Sequence, residues 1–187
     1  LGGEAVGTKR QKTIFSKDEI NHMIAQIDKV PNIRHVLIMV FTGMRPGEYR
    51  ELQRTNIDFD TNTISNFGIK TEAGQKRKIF IHPKIRNVLM DLTIESKSGY
   101  ILEYEGKALK HDKRFYDDIY YPALKDTGIE RKIPYTCRYT FATIAHNSGV
   151  DNKALQKLMG HTDFNITANS YIQDLDEFIY AELQKIQ

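Results

Sequence analysis

Tryptophan is absent from the 187 residues, cysteine occurs once and proline five times. The single thiol, Cys137, excludes an internal disulfide and fits a reducing cytoplasm. No Cys/His cluster stands at zinc spacing, so neither a metal nor a cofactor is expected. No apolar run approaches the roughly 20 residues that a membrane helix needs, so no membrane partner is expected. The opening stretch "LGGEAVGTKRQK" lacks the apolar h-region of a secretion signal. Residues 1–12 read as a linker or a cloning remnant, and the natural protein is expected to extend further on that side. What the chain does have is 40% hydrophobic content, enough for a real core in a domain of this length.

The excess of one charge over the other is also small: 27 Lys and Arg against 24 Asp and Glu give a formal net charge of +3. Its distribution says more than its sum. Basic residues cluster at 9–12, 76–78 and 107–114, and acidic residues concentrate at 172–182. Local basic patches suit an anionic partner such as DNA, and equally suit a solvated surface.

Periodicity divides the chain into helices around one short extended region. Ser16 with Glu19 forms a capping box, and Ile20, Met23, Ile24 and Ile27 recur at helical spacing. A more apolar helix follows at 32–42, and a short one from Pro46 through Leu52. Between 57 and 82 short β-type runs alternate with turn residues, which predicts a three-stranded antiparallel sheet. Helices are expected at 83–94, 111–127, 135–148, 151–159, 163–171 and 174–186, with a loop and a short extended piece at 98–105. Gly149 and Gly160 mark helix ends. The fold class is α+β, mostly helical, with one small antiparallel sheet.

Several polar residues stand at element boundaries. Arg45, in "TGMRPGE", lies in a glycine-flanked turn beside a helix start, where a guanidinium and backbone N–H groups can meet a phosphate. It reads equally as a surface arginine. Lys70 lies on the expected hairpin, either as a reaching finger or as an edge-strand guard against aggregation. Arg138 sits in an otherwise apolar and aromatic helix, "YTCRYTFATIA", where it needs a partner or a ligand. His161 follows "LMG" at a helix end, and Tyr171 lies among small polar residues in "MGHTDFNITANSYIQD".

Taken in order, these segments resemble the tyrosine recombinases, the phage integrase family. The resemblance runs from Phe15 to about Gln173. "TGMRPGEYRELQRTNIDFD" is similar to the family's first arginine box, with Glu48 at the usual acidic position. "RYTFATIAHNSGVDNKALQKLMGHTDFNITANSYIQ" is similar to the second. The resemblance implies a catalytic domain at 13–173, followed by an amphipathic tail helix at 174–187. In that tail Leu175, Phe178, Ile179, Leu183 and Ile186 share one face that would dock in trans on a neighbouring subunit, or pack on its own domain.

The resemblance also implies roles. Arg45 and Arg138 would clamp the scissile phosphate. Lys70 would be the general acid toward the leaving 5′-hydroxyl, His161 would hydrogen-bond the phosphate, and Tyr171 would be the nucleophile. The family usually has a histidine three residues before the second arginine, whereas this chain has Tyr135. A phenol, with an ordinary pKa near 10, is a poor proton acceptor at neutral pH, so Tyr135 suits positioning better than base chemistry.

The implied function is site-specific cleavage and rejoining of DNA strands through a covalent 3′-phosphotyrosyl intermediate. It would integrate or excise a mobile element, of a phage or a conjugative transposon, without metal or cofactor. Double-stranded DNA, a synaptic tetramer and accessory DNA-bending or excision factors would be the partners, at the bacterial nucleoid in the cytoplasm. Phosphate contacts are expected from Lys76, Arg77, Lys78, Lys110, Lys113 and Arg114. Two rival functions use the same residues: strand relaxation of the type IB topoisomerase kind, and a catalytically silent DNA-binding module, which the tyrosine at 135 would favour.

Overall fold

The structure is a computed structural model that describes residues 13–67, 77–160 and 172–187, and of 172–177 the backbone alone. Helix α1 (Lys17–Ala25) begins at the expected capping box. The Ser16 hydroxyl accepts from the Glu19 N–H at 3.1 Å, and the Glu19 carboxylate accepts from the Ser16 N–H at 2.7 Å. These bonds satisfy two of the donors that every helix start leaves open.

Helix α2 (Ile33–Thr42) is the centre of the fold, with nearly every side chain buried. An all-round apolar helix can only be an interior one. It packs on α1, on α4 (Pro83–Glu95) and on α7 (Tyr135–Asn147). Its one buried imidazole, His35, lies 2.7 Å from the hydroxyl of Tyr49 in α3 (Pro46–Arg50), an equally buried side chain. The bond pins the short helix α3 to the core.

The three-stranded antiparallel sheet is present, in the order β1 (Ile57–Asp58), β2 (Thr63–Ile64), β3 (Ile79–Phe80). Ile57 pairs with Ile64, and Ile64 with Ile79. Asp58 folds the first turn by accepting from the N–H groups of Asp60 and Thr61. The segment between β2 and β3 that carries Lys70 and Lys76 lies partly outside the described residues, as does the helix expected at 163–171.

Two expectations change. The stretch read as a loop and a short extended piece contains a hairpin, β4 (Glu103–Tyr104) and β5 (Lys107–Ala108), turning through Glu105 and Gly106 at positive φ. The helix expected at 111–127 is interrupted: α5 (Asp112–Phe115) passes through a π-helical turn (Tyr116–Tyr120) into α6 (Tyr121–Asp126). Pro122 offers no N–H and crowds the carbonyl one turn earlier, and the wider turn accommodates this.

The chain ends with α8 (Asn152–Met159) and α9 (Ile172–Leu183). Here the tail packs on its own chain. Ile179, Leu183 and Ile186 are buried and Phe178 is exposed. His82 Nε2 donates to the Ile186 carbonyl at 2.8 Å, while Nδ1 accepts from the Lys84 N–H. The Glu182 carboxylate accepts from the Asp151 N–H at the start of α8. No helix among the described residues is long and apolar enough to cross a membrane.

Burial holds the His35 imidazole down at about 3, with the Arg34 charge adding to the effect and Glu95 opposing it. Burial also lowers His82; its bond to Ile186 opposes this and the Lys84 charge adds to it. The unfolded chain binds a proton on each ring near pH 6.5, before the folded chain does. Stability is therefore full above about pH 6.5 and falls as pH drops, for His35 down to about 3. Melting curves between about pH 7 and 5, above the ordinary carboxylate range, should show this slope, and His35→Gln should flatten it. An unchanged slope would contradict the assignment.

Candidate active site

Arg45 is the residue before α3, with Pro46 at the first helical position, where its missing N–H leaves no bond unmade. Glu48, one turn in, reaches back. Its Oε2 accepts from the Arg45 N–H at 2.8 Å, and its Oε1 accepts from Arg45 Nη1 at 2.7 Å. One carboxylate thus caps the helix and orients the guanidinium. The Arg45 side chain remains 42% exposed, open to a ligand. Helix α3 is itself held firmly. Tyr49 bonds to α2, and Arg50 Nη1 donates to Asp112 at the start of α5 at 2.6 Å.

The same Glu48 Oε2 accepts from Arg77 Nη1 at 2.9 Å. Burial opposes ionisation of Glu48, but the Arg77 charge and the bonds from Arg45 together outweigh it and hold the carboxyl below the usual range. Arg77 is 5% exposed and its Nη2 donates to the Leu158 carbonyl at 2.6 Å. The expectation of a surface phosphate contact therefore does not fit Arg77: its guanidinium is enclosed and occupied by the protein.

Arg138, on α7, is 6% exposed. Its Nη1 donates to the Gly43 carbonyl and its Nη2 to the Met159 carbonyl at 2.7 Å. Both acceptors are helix C-terminal carbonyls, the negative ends of α2 and α8. They hold the arginine in place without neutralising it by a carboxylate. Burial, followed by repulsion from Arg45 and Arg77, brings the Arg138 guanidinium down to about 10, with Glu48 and Tyr135 acting the other way. It stays charged at neutral pH. Glu48 bonds to both Arg45 and Arg77, and Arg138 lies within electrostatic reach of all three, so arginines distant in sequence form one cationic cluster.

Tyr135 starts α7, is 43% exposed, and lies in electrostatic reach of Arg138. Lys70, His161 and Tyr171 lie outside the described residues, as does Lys76. Lys78, Lys110 and Lys113 are exposed. Arg114 is exposed as well, over the Tyr104 ring and paired with Asp118 at 2.9 Å. The linking role of Arg77 was missed because "KRK" shows three equivalent cations, and only the fold brings one of them onto Glu48.

Two glycines make these contacts feasible. Gly43 ends α2 at φ +62°, and a Cβ there would stand 2.5 Å from Phe141 Cδ1. Gly160 ends α8 at φ +64°, where a Cβ would meet Arg77 Cδ at 2.6 Å.

The chain is similar to known proteins over most of its length. The sequence model of the Phage integrase family matches residues 13–177. The integrase of Staphylococcus phage L54a is 27% identical over 185 residues, covering 81% of this chain and 51% of the relative. A tyrosine recombinase of Thermosipho africanus (strain TCF52B) is 25% identical over 180 residues, covering 92% and 61%. A solved structure of the Tn1549 transposon integrase in complex with a circular intermediate DNA superposes with a TM-score of 0.67. It is 20% identical, and the match covers 96% of this chain and 62% of that one. The chain thus spans between half and two thirds of the length of these relatives.

Gly43→Ala should destabilise the protein by about 2 kcal/mol or more, from the left-handed backbone and the Phe141 overlap together. Gly128→Ala, at φ +71° with nothing within 4 Å, supplies the backbone cost alone. Denaturant unfolding of the two variants should separate them, and equal losses would contradict the steric account.

The family model spans residues 13–177, which include Arg45, Glu48 and Arg138, and the chain belongs to the phage integrase family of tyrosine recombinases.

Proposed function

We propose that this chain is the strand-cleaving and strand-joining part of a site-specific DNA recombinase, most simply the integrase of a phage or conjugative transposon. The observation that carries the reading is the pair of arginines, Arg45 and Arg138, held charged in one cluster by protein groups that leave Arg45 half open. A phosphodiester repels nucleophiles. Two guanidiniums on its non-bridging oxygens offset that charge, and more strongly as the pentavalent phosphorane forms.

In this reading Tyr171 attacks phosphorus through its phenolic oxygen, and the phenolic proton passes to water. The bond from phosphorus to the 5′-oxygen breaks, and Lys70 gives that oxygen a proton. His161 donates a hydrogen bond to the phosphate. The product is a 3′-phosphotyrosyl link that a second 5′-hydroxyl attacks in reverse, so no ATP is needed. Tyr135 orients the phosphate from the start of α7. A tetramer on two DNA duplexes, with accessory bending or excision factors, completes the proposal, at the nucleoid in the bacterial cytoplasm. The division into a catalytic domain at 13–173 and a tail at 174–187 belongs to it too. Exchange of α9 between subunits would reuse on a neighbour the contacts that Ile179, Leu183 and Ile186 make here in cis. Lys78, Lys110, Lys113 and Arg114 are the proposed phosphate contacts.

Incubation of the natural full-length protein with a nicked substrate carrying its site should yield a covalent protein–DNA adduct. Tyr171→Phe should abolish the adduct, and Tyr135→Phe should slow it without abolishing it. Absence of any adduct would favour the silent DNA-binding module. Relaxation of supercoiled plasmid lacking the site would favour the topoisomerase-like rival.

A further inference from the structure

Arg77 is an expensive residue for the chain to keep. Its side chain is 3% exposed, next to β3 and beside the Phe67 ring. Among the described residues it has one carboxylate partner, Glu48, and one carbonyl partner, Leu158, and its buried Nε has no hydrogen-bond partner. A buried cation with an unmet donor is less favourable than an apolar side chain of similar volume, so stability alone does not account for it. Gly160 leaves room for this side chain, since any Cβ there would overlap Arg77 Cδ and Nε.

Its position suggests what it does. One arm fixes the carboxylate that aims Arg45, and the other holds the last turn of α8, whose Met159 carbonyl receives Arg138. Along the chain it directly follows the segment bearing Lys70, and α8 directly precedes His161. We infer that Arg77 is a positioning residue for strand cleavage, acting through Glu48 on Arg45 and through the end of α8 on Arg138. The inference rests on the recombinase reading above. Without Arg77, Glu48 keeps only its Arg45 bonds among the described residues and can follow the half-exposed Arg45 guanidinium. The clamp then loses its alignment before the phosphate arrives.

The test uses the full-length protein and the nicked substrate, in single turnover, with DNA affinity and melting temperature measured alongside. Arg77→Met should slow adduct formation by about 10–10²-fold, as expected for a misplaced clamp, and leave affinity within about twofold. Arg77→Lys should recover part of the rate, since an ammonium can serve Glu48 but cannot hold both acceptors as a planar fork. Glu48→Gln with Arg77→Met should lose less than the product of the two single losses, because the Glu48 route is shared and only the α8 route is left to add.

Val36→Ala, a core truncation in α2, controls for destabilisation. Equal slowing in that variant would assign Arg77 to stability and overturn the inference. So would an Arg77→Met rate near wild type, fully multiplicative losses, or a crystal structure of Arg77→Met with the Glu48–Arg45 bonds unchanged. Failure of the wild-type protein to form any Tyr171 adduct is a separate outcome. It would overturn the recombinase reading itself, and the inference with it.

Discussion

The Glu48 carboxylate is the point on which this site depends. It accepts from the Arg45 backbone, the Arg45 guanidinium and the Arg77 guanidinium, all within 2.9 Å. Three arginines in one cluster repel one another, and that repulsion lowers the protonation tendency of Arg77 and Arg138 alike, after burial. The single ionised carboxylate outweighs the Arg45 repulsion at Arg77, offsets part of the repulsion at Arg138, and spends both oxygens on orientation. The net positive charge that remains is what an incoming phosphate would neutralise.

The scaffold turns this charge arrangement into fixed geometry. The apolar helix α2 fixes α3 through His35 and Tyr49, and so sets where Arg45 begins. The same helix ends at Gly43, whose carbonyl receives Arg138 from the neighbouring α7. Close approach of Phe141 to Gly43 sets the separation of these two helices at the site. Core packing and site alignment are therefore the same contacts seen from two sides, and a change in the core at this end should be felt by the clamp.

Much of this was legible in the sequence, for identifiable reasons. The Ser16–Glu19 box, the buried α2 and the three strands follow from local patterns, and all three are present. Arg45 and Arg138 stood out because their boxes are long and ordered. The 103–108 hairpin was not legible: its strands, "EY" and "KA", hold no β-branched residue, unlike β1–β3, and Glu105 adopts a positive φ that its side chain does not advertise. The π-helical turn before Pro122 keeps a helical period and so reads as ordinary helix. The tail's apolar face was clear, but amphipathicity does not say whose core it covers. In this chain it covers its own.

In the proposed mechanism Arg45 and Arg138 act as one clamp on a single phosphate. Its most direct test is single-turnover cleavage by the full-length protein carrying Arg45→Ala or Arg138→Ala, on its own site, with DNA affinity measured in parallel. The account predicts a loss of about 10²–10³ in cleavage rate for either variant, with affinity little changed. Cleavage by either variant at a rate close to the wild type would contradict it.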